Sequence, residues 1–504
     1  MNIFSAREIY EWEKFTIKKG NISALQLMEK AAKCCCNWIT DRFSTTSEML
    51  IFCGAGNNAG DGFALARLLY QTGFNIKIFT DSSKKFTEEA EINFQRCKEI
   101  SGIEIQDFSA LKQLKNTESA VIIDALFGLG INRAIQGPVA EVISFLNELP
   151  GTKIALDLPS GLFAEEISAE NAVIFQADYT LTFQVLKKAM LHPESAPFCG
   201  EIHIMDIGLN PDYCLENPTL ENTVDENLIQ QIYKPRKNFS HKGNFGKSLL
   251  IAGSFGKIGA AVLATKAALK AGSGLTFILA PNCGYEILQI SCPEAMFISG
   301  GEKSVENIVS DDEYSIGIGP GLGTAKATDI GLLNFLKSYS KSLIVDADAL
   351  NILAKNAENF QFIPRNSIIT PHPKEFERLF GKTENSFERT TLAQKKAAEL
   401  GIFIVLKNHH TQIISPAGEV FYNLTGNSGM AKGGSGDALL GILTALVAQN
   451  YSPLNAAIFG VWLHGKAGDF AAEKYSKEAT LPSDLIDELG NCFKYLEKKS
   501  SQQN

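Results

Sequence analysis

Among the ten cysteines of this 504-residue chain there is no Cys-x-x-Cys pair. That absence removes the zinc ribbons and thioredoxin-like redox motifs that use the spacing. Cys34, Cys35 and Cys36 are adjacent. Consecutive helical residues point in different directions, so the three cannot easily close one metal site and read as small apolar helix residues. Also missing is an apolar run approaching the roughly 18 residues that span a bilayer. The opening stretch "MNIFSAREIYEWEKF" is amphipathic and acidic and lacks the apolar core of a signal peptide. A cytoplasmic protein with reduced cysteines is therefore expected. Positive charge is not in excess: 47 Lys and Arg stand against 56 Asp and Glu, for a net charge of −9. This argues against a general nucleic-acid or membrane-surface binder. No short internal repeat is visible, and the two halves are not copies of each other.

What remains is an ordinary globular composition, 45% hydrophobic and 20% charged, in a chain too long for one ordinary core. Short apolar runs at 49–54, 75–80, 120–127, 153–159, 179–183 and 201–207 alternate with helical stretches. That rhythm predicts βαβ units and a parallel sheet. Residues 208–227 are rich in Pro, Asn and acidic residues without a period, and read as a linker. A second α/β series has strand candidates at 248–254, 275–280, 315–321, 342–350, 367–371 and 402–407. Strongly apolar helices are predicted at 260–272 and 437–449.

"CGAGNNAGDGFALAR" (53–67) leaves a strand and enters a helix. Its glycines permit a tight turn, and the helix N-terminus favours an anion. The spacing is not G-x-G-x-x-G; Asp81 is close to where a dinucleotide fingerprint needs an acid, but the glycine pattern fails. Asn57, Asn58 and Asp61 crowd polar groups into what reads as a loop at a strand's carboxyl end, where open α/β sheets place ligands. "DALFGLGINRAIQG" (124–137) and "DLPSG" (157–161) end two further strands with Asp124 and Asp157. Oxygens of Asn58, Asp124 and Ser160 could converge on one hard cation, or each could cap a helix.

Together, "GAGNNAGDG", "DALFGLG" and "DLPSG" resemble the epimerase half of the NAD(P)H-hydrate repair enzymes over about residues 1–210. The resemblance implies a Rossmann-like fold that interconverts the R and S forms of the hydrate at C6. It implies K+ held by Asn58, Asp124 and Ser160. Substrate contacts would come from Asn57, Asn58, Ala59, Gly60 and Asp61, from Gly128, Leu129, Gly130, Ile131, Asn132, Arg133 and Ala134, and from Asp157, which is also a candidate catalytic residue. Lys187 matches the family lysine, while Ala134 and Ala189 depart from the family's proline and glycine.

In the second half, "AGSFGKIGAA" (252–261) and "GPGLG" (319–323) are further glycine loops. "TPHPKEF" (370–376) fixes His372 between two prolines, which favours a placed side chain. "VDADALN" (345–351) carries Asp346 and Asp348. The strongest stretch is "MAKGGSGDALLG" (430–441), a glycine-rich loop running into an apolar helix. Backbone N–H groups there suit a transferring phosphoryl group, and Asp437 is placed to take the proton from an acceptor hydroxyl. Upstream, Lys234, Arg236, Lys237, His241 and Lys242 read as a solvated charge run, with phosphate contact open to the last two.

These motifs are similar to the dehydratase half of the same family, in the ribokinase-like superfamily, over about residues 225–500. That similarity implies phosphorylation of the C6 hydroxyl by ADP, or ATP, with Mg2+, followed by loss of phosphate. It places substrate on Ala260, Gly321, Gly323, His372 and Asp437, and nucleotide on Lys407, Asn408, His409, His410, Thr411 and Gly436. Asn408 departs from the family's glycine, and Lys432 replaces a smaller residue. The expected whole is an N-terminal Rossmann-like three-layer domain (1–215) and a C-terminal ribokinase-like α/β domain (222–504), forming a homo-oligomer. Its partners would be small molecules, NAD(P)H hydrate and ADP or ATP, with no nucleic acid and no membrane. Two other readings are open: a small-molecule kinase with a fused non-catalytic domain, and an N-terminal scaffold that binds protein or RNA.

Overall fold

A computed structural model describes residues 1–114, 117–309 and 313–502, the side chains after 499 excepted. The chain divides into two units. One comprises Asn2–Thr219 with Asn385–Phe387; the other comprises Met1, Leu220–Glu384 and Glu388–Asn504.

The first unit opens with helices α1 (Ala6–Gly20) and α2 (Ala24–Thr40), each started by a serine capping box. Strand β1 (Glu48–Cys53) leads into α3 (Asn57–Gln71), then β2 (Asn75–Thr80), α4 (Glu88–Lys98) and β3 (Ile103–Gln106). There follow β4 (Val121–Ala125), α5 (Pro138–Glu148), β5 (Thr152–Leu156), β6 (Tyr179–Phe183), β7 (Glu201–Met205) and the short α6 (Asp212–Glu216). Among the described residues the strands form one sheet in the order β3-β2-β1-β4-β5-β6-β7. All its pairings are parallel. The strands are near-continuous apolar runs because helices cover both faces. Helices α1 to α4 bury one face, and α5 with a 3-10 turn at Phe108–Gln113 buries the other. The order reverses between β1 and β4, the switch point where such sheets bind ligands.

The second unit begins with β8 (Glu221–Val224), α7 (Glu226–Ile232), β9 (Lys247–Ile251), α8 (Ile258–Lys270), β10 (Leu275–Ala280), α9 (Tyr285–Ser291) and β11 (Met296–Ser299). It continues with β12 (Tyr314–Ile318), α10 (Lys326–Ser338), β13 (Leu343–Val345), α11 (Ala347–Leu353), β14 (Ile368–Ile369) and α12 (Pro373–Phe380). Helix α13 (Ser386–Leu400), β15 (Phe403–Leu406), β16 (Gln412–Ile414) and β17 (Val420–Asn423) precede α14 (Ser435–Ala448), α15 (Pro453–Tyr475) and α16 (Pro482–Gln502). The described strands lie in the order β11-β10-β9-β12-β13-β14-β15-β16-β17-β8. The sheet is parallel except at β15–β16–β17. Helices α8, α14, α15 and α16 share one apolar core against it. The mean hydropathy of α14 is high because the helix is buried nearly all round.

Three expectations need correction. The stretch 208–227 is not a plain linker: α6 lies in it, and β8 pairs in parallel with β17 at the sheet edge. Edge pairing uses backbone groups, so a strand reading Glu-Asn-Thr-Val shows no apolar alternation. The loop expected at 57–61 is instead the first turn of α3, with Gly56 as its N-cap. The run 342–350 also splits, because the chain leaves β13 at Asp346 and turns into α11.

Candidate active sites

In the first unit a cavity of about 550 Å³ lies at the carboxyl ends of β1, β4, β5 and β6. Asn57, Asn58, Asp61, Gly128, Leu129, Gly130, Ile131 and Asp157 all line it. Ala59 and Gly60 do not. Both are buried, and a Cβ on Gly60 would meet Met28 Cε at 2.5 Å. Asn132 and Arg133 are exposed, and with Ala134 they lie beyond the lining.

Asp157 holds the centre. It adopts φ +65°, a left-handed conformation that Asp tolerates better than most residues. Its Oδ1 accepts from Phe183 N at 3.0 Å and from the buried Lys187 ammonium. Lys187 also donates to Thr182 Oγ1 at 2.8 Å and to the Phe183 carbonyl at 2.9 Å. Two more carboxyl groups face the same space. Burial, reinforced by Asp157 and Glu13, drives the Asp61 carboxyl well above the usual carboxylate range. Glu13 of α1 lines the cavity too, and burial and the Asp157 charge push its carboxyl up to about 7. Sequence reasoning missed Glu13. Helix α1 carries Glu8, Glu11 and Glu13, and nothing local distinguishes them.

Asp124 and Ser160 bond to each other, and Asn58 joins them through the Phe127 backbone. Ser160 donates from Oγ to Asp124 Oδ1 at 2.7 Å and from its backbone to Oδ2 at 2.8 Å. Phe127 N donates to Ser160 Oγ at 2.9 Å, and Asn58 Nδ2 donates to the Phe127 carbonyl at 2.8 Å. Asn58 Oδ1 is buried without a hydrogen-bond partner among the described residues. Asp124 is fully buried, and desolvation raises its carboxyl to about 6 despite the Ser160 hydrogen bonds. The buried Asp124 carboxyl and the unpartnered Asn58 amide oxygen are donors of the type a hard cation takes.

In the second unit a cavity of about 720 Å³ is lined by His372, Lys407, Asn408, His409, Thr411, Gly436 and Asp437. Gly434, at φ +102°, is the N-cap of α14 and aims the first turn of that helix into the space. A Cβ on Gly436 would come within 3.2 Å of Asp346 Oδ2 and 3.4 Å of Lys407 Nζ, so the backbone approaches both closely. Lys407 Nζ pairs with Asp346 Oδ1 at 2.8 Å and lies 3.8 Å from Glu375. His372 caps α12: its Nδ1 accepts from Lys374 N at 3.1 Å and Glu375 N at 3.3 Å. Burial lowers its pKa, which favours this neutral, accepting form. Burial and then Asp346 push the Asp437 carboxyl up to about 6, against the pull of Lys407.

His410 does not line this cavity; burial lowers its imidazole to about 4. Ala260, Gly321 and Gly323 form a neighbouring cluster. A Cβ on Gly321, at φ +61°, would lie 3.0 Å from Ala260 Cβ. Gly323 N donates to Asp348 Oδ2 at 2.8 Å, and Asp348 in turn raises Asp437. His464, half-buried in mid-α15, donates from Nε2 to the Ser435 carbonyl at 2.9 Å in the first turn of α14. It carried no sequence signal, because a single histidine in an apolar helix reads as core.

No helix among the described residues is long and apolar enough to cross a membrane. The profile of the NAD(P)H-hydrate dehydratase family matches residues 248–491, and that of the YjeF-related protein N-terminus matches 24–189. The bifunctional NAD(P)H-hydrate repair enzyme Nnr of Moorella thermoacetica is 32% identical, over 99% of this chain and 98% of the relative. Its counterpart from Escherichia coli K12 is 31% identical over 97% of this chain and 93% of the relative. The crystal structure of the ADP/ATP-dependent NAD(P)H-hydrate dehydratase from Bacillus subtilis, co-crystallised with ATP and Mg2+, matches with TM-score 0.50 and 31% identity. It covers 55% of this chain and 98% of its own. With a candidate site in each of two separately matched domains, the chain belongs to the family of bifunctional NAD(P)H-hydrate repair enzymes, epimerase domain first and dehydratase domain second.

Proposed function

We propose that the chain epimerises the R and S forms of NAD(P)H hydrate in the first cavity and dehydrates the S form in the second, using ADP and giving AMP and phosphate. The observation that carries this is Asp437, a carboxyl group raised to about 6 in the first turn of a helix whose N–H groups suit phosphate. Asp437 takes the proton of the C6 hydroxyl as that oxygen attacks the β-phosphorus of ADP and the bond to AMP breaks. The ring nitrogen then expels phosphate from C6, and loss of the C5 proton restores the double bond. Lys407 and the glycine loop hold phosphoryl oxygens, and Asn408, His409 and Thr411 border the nucleotide. Mg2+ accompanies the nucleotide and neutralises charge on its phosphates.

In the first cavity C6 bears both a hydroxyl and the ring nitrogen. The hydroxyl leaves with a proton, C6 becomes planar, and water returns to the opposite face. Glu13, its carboxyl pushed up to about 7, supplies the proton, and Asp157, paired with Lys187, removes one from the returning water. K+ on Asn58, Asp124 and Ser160 would supply a fixed positive charge beside this site.

Mixed R and S hydrates, given ADP or ATP, should recover the full absorbance of the reduced nicotinamide. Recovery of only the S fraction would remove the epimerase reading. A stable phosphorylated product without recovery would favour a plain kinase.

The cation site gives a second expectation. Asp124→Ala removes the charge from the cation shell. Epimerisation should fall about tenfold or more and lose its response to potassium, with dehydration intact. An unchanged rate and potassium response would exclude the site.

The reactions are assigned to 1–215 and 222–504. Each fragment expressed alone should keep its own reaction and lack the other; two folded, inactive fragments would overturn the division. Cytoplasmic residence and homo-oligomerisation belong to the same reading, and sedimentation of the intact chain tests the latter.

A further inference from the structure

A second cavity in the first unit, about 890 Å³, is larger than the reaction pocket. It opens at the carboxyl ends of β1, β2 and β3, on the other side of the switch point, with Asp81 and Asp107 closing two of those strands. The two cavities share Ala55, Leu126 and Phe127 as walls. Next to the shared Ala55 lies Gly56, a wall of the reaction pocket and the N-cap of α3, whose first-turn N–H groups suit a pyrophosphate.

The walls of the larger cavity are apolar and aromatic: Phe108, Leu111, Val139 and Phe145. The connection from β3 to β4 explains the space. Among its described residues it contributes only a 3-10 turn to that face, where a full crossover helix would fill the volume. The rim is charged. Lys84 and Lys112 are exposed and form no ion pair among the described residues. Asp81 follows β2 directly, and its Oδ1 accepts from Ser83 N at 3.1 Å and Ser83 Oγ at 2.5 Å. Its Oδ2 takes no partner among the described residues.

We propose that this cavity receives the AMP half of the dinucleotide hydrate, with Asp81 facing the ribose hydroxyls and Lys84 accepting the 2′-phosphate of the NADPH form. The proposal rests on the epimerase reading of the adjoining pocket. The hydrated ring reacts over β4, β5 and β6, the pyrophosphate crosses the start of α3, and adenosine lies over β1 to β3. A dinucleotide laid across a switch point takes this course even where the glycine fingerprint is absent. The two Ser83 hydrogen bonds blunt the Asp81 charge, and Lys84 lies three residues on. The site therefore accepts both the plain and the phosphorylated ribose, whereas an unblunted acid would reject the phosphate.

The test compares hydrates of NADH, NADPH and the reduced mononucleotide, which lacks the AMP half, on the full-length chain. Val139→Trp fills the cavity from a half-exposed position on α5. It should raise KM for epimerisation of NADH hydrate about tenfold, the equivalent of about 1.4 kcal/mol, and leave the mononucleotide hydrate unaffected. Lys84→Ala, a surface change with little bearing on folding, should raise KM for NADPH hydrate about tenfold and leave NADH hydrate unchanged. The proposal is overturned if Val139→Trp leaves all three KM values in place, or raises the mononucleotide and dinucleotide values together. A Lys84→Ala variant that treats NADH and NADPH hydrates alike overturns the phosphate assignment. An unaltered chain that epimerises none of the three hydrates would instead remove the reading of the reaction pocket itself.

Discussion

Exchanging Asp437 for Asn should lower dehydration of the S hydrate by about 10²–10⁴-fold at saturating nucleotide, the usual cost of losing a general base. The substitution keeps the shape of the first turn of α14 and removes only the proton acceptor. Nucleotide affinity should survive or rise, because a negative charge beside the phosphates is gone. Calorimetry with ADP measures it. The pH profile carries the same argument. Burial and the Asp346 carboxylate push the Asp437 carboxyl up to about 6, so it is ionised above that value and protonated below. Dehydration by the unaltered chain should therefore fall as pH drops below about 6, and the Asn variant should lose that limb while its epimerisation stays intact. A near-normal rate in the variant would make Asp437 a helix-dipole partner only. Loss of nucleotide binding would mean that the carboxylate lies on the other side of the phosphate.

The glycine-rich strand ends were legible because two independent requirements coincide there. A parallel sheet puts its ligand loops at carboxyl ends, and a close backbone approach excludes side chains. Gly436, wedged between Asp346 and Lys407, is legible for that reason. So are Asn58, Asp124 and Ser160, which lie far apart in sequence yet are linked through the Phe127 backbone because β1, β4 and β5 are neighbours. Residues beyond the first turns of helices were not legible. Glu13 is one of several acidic residues on an amphipathic helix, and only its place in the cavity wall singles it out. His464 acts through the Ser435 carbonyl from mid-helix, with no loop or cap to mark it. The same limit applies to β8. An edge strand needs backbone groups on one side only, so a polar stretch reads as linker until its partner β17 is known. The expectation for His372 was half structural. Pro-His-Pro does place the side chain, and the placement makes it a helix cap as well as a cavity wall.

Asp157→Asn should reduce epimerisation by about 10²–10⁴-fold, the range expected for an acid–base residue, but the change alone is ambiguous. Lys187 is 1% exposed, and Asp157 is its carboxylate partner. Breaking a buried ion pair from one side costs about 3–5 kcal/mol, since the remaining charge stays in the interior. Lost activity could then report a damaged fold. Lys187→Met is the complementary change: it leaves Asp157 among Glu13 and Asp61 with no cation, which drives carboxyl groups toward the protonated form. The double variant separates the two effects. With both charges gone, thermal stability should return close to that of the unaltered chain, as it does when buried pairs are replaced whole. Epimerisation should stay as low as in Asp157→Asn, while dehydration proceeds normally on the S hydrate. Recovery of epimerisation in the double variant would show that Asp157 serves only to neutralise Lys187. In that case Glu13 and Asp61, the two remaining carboxyl groups of the cavity, would have to carry the proton transfers between them.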